Sequence, residues 1–210
     1  MIRILIADDH AIVREGLKQI VSESSDMAVT DEASDGHEAL DKALNGDYDV
    51  VILDITMPGI NGLDALKQIR SHRPKLPILV LSMHPEEQYA VRVLKAGASG
   101  YLTKESIPDE LITSIRRVSL GMKYIGPSLA EKLASYLEAD HERPLHDILS
   151  DREYQVMCMI AVGKPQKAIS EELSLSKKTI STYRFRILQK MGMKTNAELT
   201  RYAIEHKLIG

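Results

Sequence analysis

The sequence predicts an α/β fold followed by an all-α fold. Residues 2–119 alternate five strand-like segments with five helix-like segments, a pattern of repeated βα units that forms a parallel, doubly wound sheet with helices on both faces. Residues 148–210 contain only helical patterns, separated by glycines and polar caps. The 210 residues leave room for two small domains, which we place at residues 1–119 and 147–210, with a linker over 120–146.

Each predicted strand is a short run rich in branched apolar residues. The runs at 2–7, 49–53 and 77–81 are the most apolar and predict the central strands, because the middle of a parallel sheet is buried on both faces. The short run at 99–102 predicts a peripheral strand. The five predicted strands are residues 2–7, 27–33, 49–53, 77–81 and 99–102.

Helical periodicity follows each of these strands. The linker adds a capping box from Ser128 to Glu131, which predicts a short helix over 128–138, and the charged stretch 139–143 before Pro144 predicts a mobile hinge. The helices predicted in the first domain are residues 11–22, 36–45, 62–72, 86–95 and 106–119.

The last domain is predicted to hold four helices. Ser150 and Glu153 form a capping box that opens the first, of about ten residues. Pro165 suits the first turn of the second, Ser176 caps the third, and Thr195 or Asn196 starts the fourth. The last three are predicted over residues 165–173, 177–191 and 196–206.

Charge is divided unevenly along the chain. Residues 1–120 contain 13 Lys or Arg and 19 Asp or Glu, a net charge of −6, whereas residues 147–210 contain 11 and 7, a net charge of +4. A basic module behind an acidic one favours a polyanionic partner for the second domain. The single Cys158 allows no internal disulfide, and no apolar stretch is long enough to cross a bilayer, so we expect a cytoplasmic protein without a membrane partner.

Polar residues follow four of the predicted strands. Asp8 and Asp9 come after the first strand, Asp54 after the third, Ser82 after the fourth and Lys104 after the fifth. The carboxyl ends of parallel strands lie at one edge of the sheet, where ligands bind. Three carboxylates, a hydroxyl and an amine would therefore converge on a site that suits a divalent metal and a phosphoryl group.

This ordered set, with Met57-Pro58 and Gly62 after the central acid, resembles the receiver domain of two-component response regulators over about the first 118 residues. The resemblance implies a flavodoxin-like sheet and a phosphoryl group carried on Asp54. It implies that Mg²⁺ is held by Asp8, Asp9, Asp54 and the Thr56 carbonyl. It further implies that Lys104 and Ser82 contact the phosphoryl oxygens and that Tyr101 is the switch aromatic, although a half-buried strand tyrosine is an equal alternative.

Two departures from the family pattern bear on this site. Glu105 stands where many receivers have proline after the lysine, so we predict no cis bond there. Thr56 and His84, two residues past the acceptor and the hydroxyl, occupy positions that modulate loss of the phosphate in the family. Thr56 also disfavours a phosphatase with an aspartyl-phosphate intermediate, which would need a second acid at that position.

The second domain resembles the LuxR-type DNA-binding domain over about residues 147–208. The residues that carry the resemblance run from Leu149 to Val156 and from Ser176 to Ile180, with Ile187 to Gly192 behind them. A helix, a short turn and a capped second helix form a helix-turn-helix, whose second helix enters the major groove. Together the two domains resemble the NarL/FixJ class of response regulator.

The helix 177–191 has two faces at helical periodicity. Ile180, Ile187 and Met191 predict its core face, with Tyr183 and Arg184 at the borders. Ser181 and Tyr183 differ from the common family residues, which leaves base preference open. The residues predicted to contact DNA are Lys177, Lys178, Ser181, Thr182, Phe185, Arg186 and Gln189.

The resemblance implies a transcription regulator rather than an enzyme, with only self-catalysed phosphotransfer and dephosphorylation at Asp54. Its expected partners are a sensor histidine kinase, double-stranded DNA and, after phosphorylation, a second copy of the chain. A constitutive regulator that needs no phosphate remains an alternative. Phe185 has two alternatives as well, a contact in the DNA groove or a latch that holds the DNA face shut before phosphorylation.

Overall fold

The computed structural model describes residues 1–58, 60–82, 86–127, 129–131, 144–206 and 208–209, without the side chains of residues 86–89. The chain divides into two compact units, Met1–Leu133 and Ala134–Gly210, and the division falls inside the predicted linker. Within the described part of the chain, no helix is long and apolar enough to span a membrane.

The first unit contains a five-stranded sheet in which every pairing is parallel. The strand order is β2-β1-β3-β4-β5, so β1, β3 and β4 are central and β5 is at an edge, as the apolar runs predict. Each of the last three strands begins and ends one residue later than predicted, so β3 includes Asp54 and β4 includes Ser82, whereas Lys104 still follows β5. The strands are β1 (Ile2–Ala7), β2 (Met27–Ala33), β3 (Val50–Asp54), β4 (Ile78–Ser82) and β5 (Gly100–Thr103).

Five helices cover both faces of this sheet, which confirms the doubly wound fold. One buried cluster joins residues of α1 and α5 to Ile4, Ile52 and Leu79 on one face. Strand side chains alternate between faces, so the equally buried Leu5 and Val51 point to the opposite face, which α2, α3 and α4 cover. The helices are α1 (Ala11–Ser22), α2 (Gly36–Asn45), α3 (Gly62–His72), α4 (Glu86–Lys95) and α5 (Ile107–Ser119).

Two helices of the first unit begin at glycines that lie against the loop after β3. A Cβ atom on Gly62 would overlap the carbonyl oxygen of Asp54, and one on Gly36 would overlap the carbonyl oxygen of Ile60. The Gly62 N–H also donates to the Ile55 carbonyl at 2.9 Å. The loop that follows the predicted acceptor therefore packs directly against the backbone of both helix starts.

The second unit is helical in its described residues and begins with a 3-10 turn at Leu145–Ile148. Ser150 and Glu153 form the predicted capping box, and Ser176 and Thr195 cap the third and fourth helices through their side chains. Pro165 is the N-cap of the second helix rather than part of its first turn. The helices are α6 (Asp151–Ala161), α7 (Gln166–Glu172), α8 (Lys177–Lys190) and α9 (Asn196–Glu205).

The linker is described only in part. Pro127 and residues 129–131 are helical, and the Ala130 N–H donates to the Gly126 carbonyl at 2.9 Å. The linker helix therefore starts one residue before the predicted Ser128 cap, because proline suits a first helical position. Ser128, residues 132–138 of the predicted linker helix, the predicted hinge at 139–143 and His84 lie outside the described residues.

Candidate functional site

The carboxyl edge of the sheet brings two buried acids and a lysine into contact. Asp8 directly follows β1 and Asp54 ends β3, and their exposed fractions are 0% and 1%. Lys104, after β5, places its Nζ 2.6 Å from Asp8 Oδ2 and 3.0 Å from Asp54 Oδ2. Ser82, at the end of β4, is fully buried, and its carbonyl accepts the Lys104 N–H at 2.8 Å. The predicted convergence of strand ends is therefore present in the fold.

Burial and mutual charge set the ionisation of this group. Burial raises the pKa of Asp54 to about 6, with Lys104 opposing the rise and Asp8 adding to it. Burial also disfavours the charged form of Lys104, but the Asp54 and Asp8 carboxylates outweigh it and raise the pKa of the amine. Lys104 is thus a fixed positive charge between two carboxylates.

Asp9 and His10 extend the acid pair towards solvent. The Asp9 side chain is partly exposed, and its Oδ1 lies 2.8 Å from His10 Nδ1. His10 Nδ1 also lies 3.3 Å from Asp8 Oδ1, which accepts the His10 backbone N–H at 2.8 Å. The Asp9 side chain does not cap α1, because His10 occupies the N-cap position, where it makes no side-chain cap bond. Sequence reasoning missed His10, although its position beside two acids was a signal.

The described residues fit a divalent cation at this edge. Possible ligand atoms of Asp8, Asp9, His10 and Asp54 all lie within 4.8 Å of one another. Asp8 Oδ2 is buried and has the ion pair with Lys104 but no regular hydrogen bond in the described structure. Three carboxylates against one amine leave excess negative charge, and carboxylate oxygens are the ligands that Mg²⁺ prefers.

Three further residues support the site or lie next to it. The Thr56 N–H donates to Asp54 Oδ1 at 3.3 Å, which keeps the start of the next loop beside the acceptor. Arg14 of α1 donates to the Asp8 carbonyl at 2.7 Å, a contact that sequence reasoning missed. Tyr101 on β5 is 1% exposed, so the alternative of a half-buried tyrosine is wrong, because α4 and α5 both pack against this edge strand.

Helix α8 of the second unit has the two faces that its periodicity predicts. Ile180 and Ile187 are fully buried, and Tyr183 and Arg184 are half-buried at the borders. Leu188, which was not predicted to be in the core, is also buried. Phe185 is 65% exposed although it is the only phenylalanine in the chain. The exposed residues of this outward face are Lys177, Lys178, Ser181, Thr182, Phe185, Arg186 and Gln189.

Side chains tie α8 to the other three helices of its unit. Lys190 Nζ lies 2.6 Å from Glu153 Oε2 of α6, and Arg184 Nε donates to Asn196 Oδ1 of α9 at 2.7 Å. The Ser181 hydroxyl donates to Gln166 Oε1 of α7 at 3.2 Å. The outward face is therefore held in a fixed orientation within its unit, as a helix that reads a groove requires.

Two family models match the chain. The model of the response regulator receiver domain matches residues 4–116, and the model of bacterial regulatory proteins of the luxR family matches residues 147–203. The chain belongs to the NarL/FixJ family of response regulators. It combines a receiver domain with a LuxR-type helix-turn-helix DNA-binding domain, as the sequence motifs predict.

Two relatives align with almost the whole of this chain. Response regulator UvrY of Escherichia coli K12 is 38% identical over 209 residues, which is 99% of this chain and 96% of UvrY. Response regulator GacA of Pseudomonas aeruginosa is 36% identical over 211 residues, which is 100% of this chain and 98% of GacA. The structure of RcsB from Salmonella enterica serovar Typhimurium, bound to promoter rprA with the phosphomimetic BeF3-, is similar with a TM-score of 0.66 and 27% identity, and the match covers 96% of this chain and 98% of RcsB.

Proposed function

We propose that this response regulator is a transcription factor switched by phosphorylation of Asp54, with a sensor histidine kinase as phosphoryl donor. The observation that carries the proposal is the position of Lys104, whose amine bridges the buried carboxylates of Asp8 and Asp54. A buried carboxylate with a purely structural role is neutralised by a cation of its own. Asp8 and Asp54 instead share the single amine of Lys104 and lie beside a third acid, Asp9, so negative charge is in excess. That arrangement suits a site that takes up a cation and a phosphoryl group.

In the proposed transfer, an ionised Asp54 oxygen attacks the phosphorus of a phosphohistidine. The new O–P bond forms as the P–N bond breaks, and the imidazole, protonated on its other nitrogen, leaves as a neutral base. Asp8, Asp9, Asp54 and the Thr56 carbonyl would hold Mg²⁺, which neutralises charge on the phosphoryl oxygens when bound. No separate substrate is turned over, so the chain acts as an acceptor rather than an enzyme.

The switch would use the residues at the neighbouring strand ends. Lys104 would pair with one phosphoryl oxygen, and the Ser82 hydroxyl would donate to another. The Lys104 N–H is already bonded to the Ser82 carbonyl, so a shift at either residue is transmitted to the other. The packing of the Tyr101 ring, which is buried on β5, would change together with this shift. Phosphorylation would thereby bias an equilibrium between two receiver states.

The output would be DNA binding by a homodimer through the outward face of α8. One structure of the relative RcsB contains promoter DNA and a phosphomimetic, and another contains two RcsB dimers bound to two DNAs. Both support the proposal of DNA binding by a dimer. Lys177, Lys178 and Arg186 would contact phosphates, while Ser181, Thr182, Phe185 and Gln189 would reach base edges. With chromosomal DNA as the proposed partner, this action would take place in the cytoplasm.

The decisive experiment measures phosphoryl uptake from acetyl phosphate with and without Mg²⁺, by intact-protein mass spectrometry. The same preparation is then tested for DNA affinity and for mass in solution, with and without beryllofluoride. We expect Mg²⁺-dependent uptake of one phosphoryl group, a dimer and tighter DNA binding. DNA binding that is equally tight without beryllofluoride would instead indicate a regulator that needs no phosphate. Rapid, repeated release of phosphate from many donor molecules would indicate a phosphatase.

A further inference from the structure

A groove at the amino edge of the receiver sheet, opposite the edge that holds Asp54, has a positively charged lining. It has a volume of about 570 Å³ and lies where β4 and β5 begin. Among the described residues that line it, three are cations and none is an acid. The residues that line this basic groove are Arg70, Pro74, Lys75, Pro77, Ser99 and Lys123, together with two glycines.

Two of the cations are held on consecutive carbonyls of the turn before β5. Arg70 Nη2 donates to the Gly97 carbonyl at 2.7 Å, and Lys123 Nζ donates to the Ala98 carbonyl. Arg70 Nη1 also donates to the Pro74 carbonyl at 2.5 Å, whereas its buried Nε has no hydrogen-bond partner in the described structure. Neutral carbonyls accept these N–H groups without neutralising the charges, so two positive charges remain close together.

These two charges repel each other in partly dehydrated surroundings. Burial lowers the pKa of the Lys123 amine, and the charge of Arg70 lowers it further. Burial also lowers the pKa of the Arg70 guanidinium, which nonetheless stays protonated. In the part of the chain that the structure describes, neither cation forms an ion pair with a carboxylate. A bound anion would relieve the repulsion, because an opposite charge favours the charged form of both groups.

The cavity next to the basic groove does not cancel its charge. That cavity has a volume of about 500 Å³ and contains one acid, Asp49. Asp49 Oδ2 already accepts the backbone N–H of Arg3 at 2.8 Å and Arg3 Nε at 3.2 Å. Arg73 lines the same cavity and donates to the Gly46 carbonyl at 2.5 Å. The surroundings of the groove therefore favour an anionic ligand.

Donors reach the basic groove from three separate segments of the receiver. Arg70 lies in the last turn of α3, Ser99 precedes β5 and Lys123 follows α5. Ser99 Oγ accepts the Ile78 N–H at 3.3 Å, which leaves its own O–H to donate. Donors from three segments suit the several oxygens of a phosphate better than a flat carboxylate. We propose that the basic groove binds a small phosphate-bearing molecule through Arg70, Lys123 and Ser99.

Such a ligand would act on the beginning of the linker. The Tyr124 N–H donates to the Ser99 carbonyl at 2.9 Å, and Tyr124 pairs with Gly100 in a parallel bridge. The Tyr124 hydroxyl donates to Glu110 Oε2 of α5 at 2.7 Å. Because Lys123 is the neighbour of Tyr124, an anion held by Lys123 and Ser99 would strengthen the attachment of this segment to β5.

A purely structural role for the two cations is the alternative. Arg70 and Lys123 would then only brace the turn at Gly97 and Ala98. In that case Lys123→Ala would lower the stability of the receiver, but no anion would bind in the groove of the wild type.

The first test locates the ligand by amide nuclear magnetic resonance of the full-length protein, titrated with pyrophosphate in EDTA. Without divalent cations the carboxylates around Asp54 repel the probe. We expect saturable shifts at Gly97, Ser99 and Lys123. Shifts confined to the basic face of α8, or no shifts at millimolar pyrophosphate, would overturn the inference. Equal shifts with chloride would also overturn it, because they would show general attraction of anions.

The second test measures affinity by equilibrium dialysis with labelled pyrophosphate, again in EDTA. Lys123→Ala should weaken binding about tenfold, whereas Lys67→Ala, which removes an exposed charge elsewhere on the receiver, should change it less than about twofold. Lys123→Arg keeps the charge and should bind nearly as tightly as the wild type. Equal losses in Lys123→Ala and Lys67→Ala would reject a specific site. These outcomes do not depend on phosphorylation of Asp54, so they leave the proposed function unaffected.

Discussion

Lys190 Nζ lies 2.6 Å from Glu153 Oε2 and so joins the last turn of α8 to the first turn of α6. The same Glu153 oxygen accepts the Ser150 N–H at 2.8 Å, while the Ser150 hydroxyl accepts the Glu153 N–H at 3.3 Å. One carboxylate, only 3% exposed, thus caps one helix and fixes the end of the helix proposed to bind DNA. It also gives the DNA-binding domain a pH-dependent contribution to stability.

Glu153→Gln should destabilise the DNA-binding domain at neutral pH but not in acid. Burial would raise the pKa of Glu153, yet hydrogen bonds from Lys190 and Ser150 lower it below the ordinary value of 4.5. The folded state therefore binds fewer protons than the unfolded one, and the stabilisation is present above pH 4.5 and lost as pH falls through the folded-state pKa. We expect a loss of about 1 kcal/mol at neutral pH, since partly exposed Lys190 is screened by solvent.

Amide hydrogen exchange of α6 in the full-length protein measures this loss of stability in the DNA-binding domain separately from the stability of the receiver. The control is Glu171→Gln, which removes an exposed carboxylate beside Lys167 and should change nothing at either pH. A difference between Glu153→Gln and wild type that persists in acid would show that the charge of Glu153 has no part in the effect.

Asp54→Asn should abolish phosphoryl uptake while preserving the fold. The amide is nearly isosteric but is not a nucleophile towards phosphorus, and Lys104 keeps its 2.6 Å contact with Asp8. Incubation with acetyl phosphate and Mg²⁺, followed by mass spectrometry, gives the readout. Asp47→Asn, an exposed acid ahead of β3, serves as the control and should label like the wild type. Labelling of Asp54→Asn at wild-type stoichiometry would assign the acceptor elsewhere.

Lys104→Met should destabilise the receiver when no divalent cation is present. Methionine keeps most of the volume but leaves two buried carboxylates without their shared cation, at a cost of about 3–5 kcal/mol. Added Mg²⁺ should restore much of this loss in urea unfolding. The gain in DNA affinity on adding beryllofluoride should disappear. A variant that keeps the full gain would show that Lys104 acts only in local electrostatics.

Lys178→Ala should weaken DNA binding by a similar factor on specific and random sequences. Lys178 is exposed at the first turn of α8, where a phosphate contact carries no sequence information. The slope of log affinity against log salt should fall by about 1. Lys75→Ala, an exposed lysine of the receiver, should leave the slope unchanged. A loss confined to the specific site would reassign Lys178 to base contacts.

Phe185→Ala distinguishes a groove contact from a latch. A groove contact, in which the ring packs on a thymine methyl group, predicts a loss of about 1–3 kcal/mol at an A·T-containing site in the presence of beryllofluoride, and less on random DNA. A latch predicts tighter binding by the full-length chain without beryllofluoride. Fluorescence anisotropy under both conditions gives the answer, and unchanged affinity in both would remove Phe185 from either role.

The elements of the fold were predictable where one physical signal dominated. The apolar runs at 2–7, 49–53 and 77–81 identified β1, β3 and β4 as central, because burial on both faces leaves no polar alternation. The predicted ends of β3, β4 and β5 were each one residue too early. The backbone N–H of Ile55 still donates to the Leu81 carbonyl, so pairing continues through Asp54, and sequence alone does not show where a ladder stops.

The site was predictable in its members but not in its contacts. The strand-end rule brought Asp8, Asp54 and Lys104 together, and the structure places them within ion-pair distance. The rule says nothing of a loop residue such as His10, whose ring position depends on the backbone turn after β1. It likewise misses Arg14, because its contact with the Asp8 carbonyl depends on the rotamer of a long side chain.

The two helix starts at Gly36 and Gly62 have a consequence for genetics. Any side chain at Gly62 would push on the backbone of the acceptor, and any at Gly36 would push on the loop behind it, although neither glycine has a reactive group. In a saturation mutagenesis screen for signalling, both positions should score as intolerant as Asp54. A ranking of residues by loss of signalling would then group Gly36 and Gly62, where no side chain fits, with residues such as Asp54 that take part in the proposed phosphotransfer. A parallel screen for protein abundance would tell them apart, since misfolded variants lose abundance whereas Asp54→Asn should not.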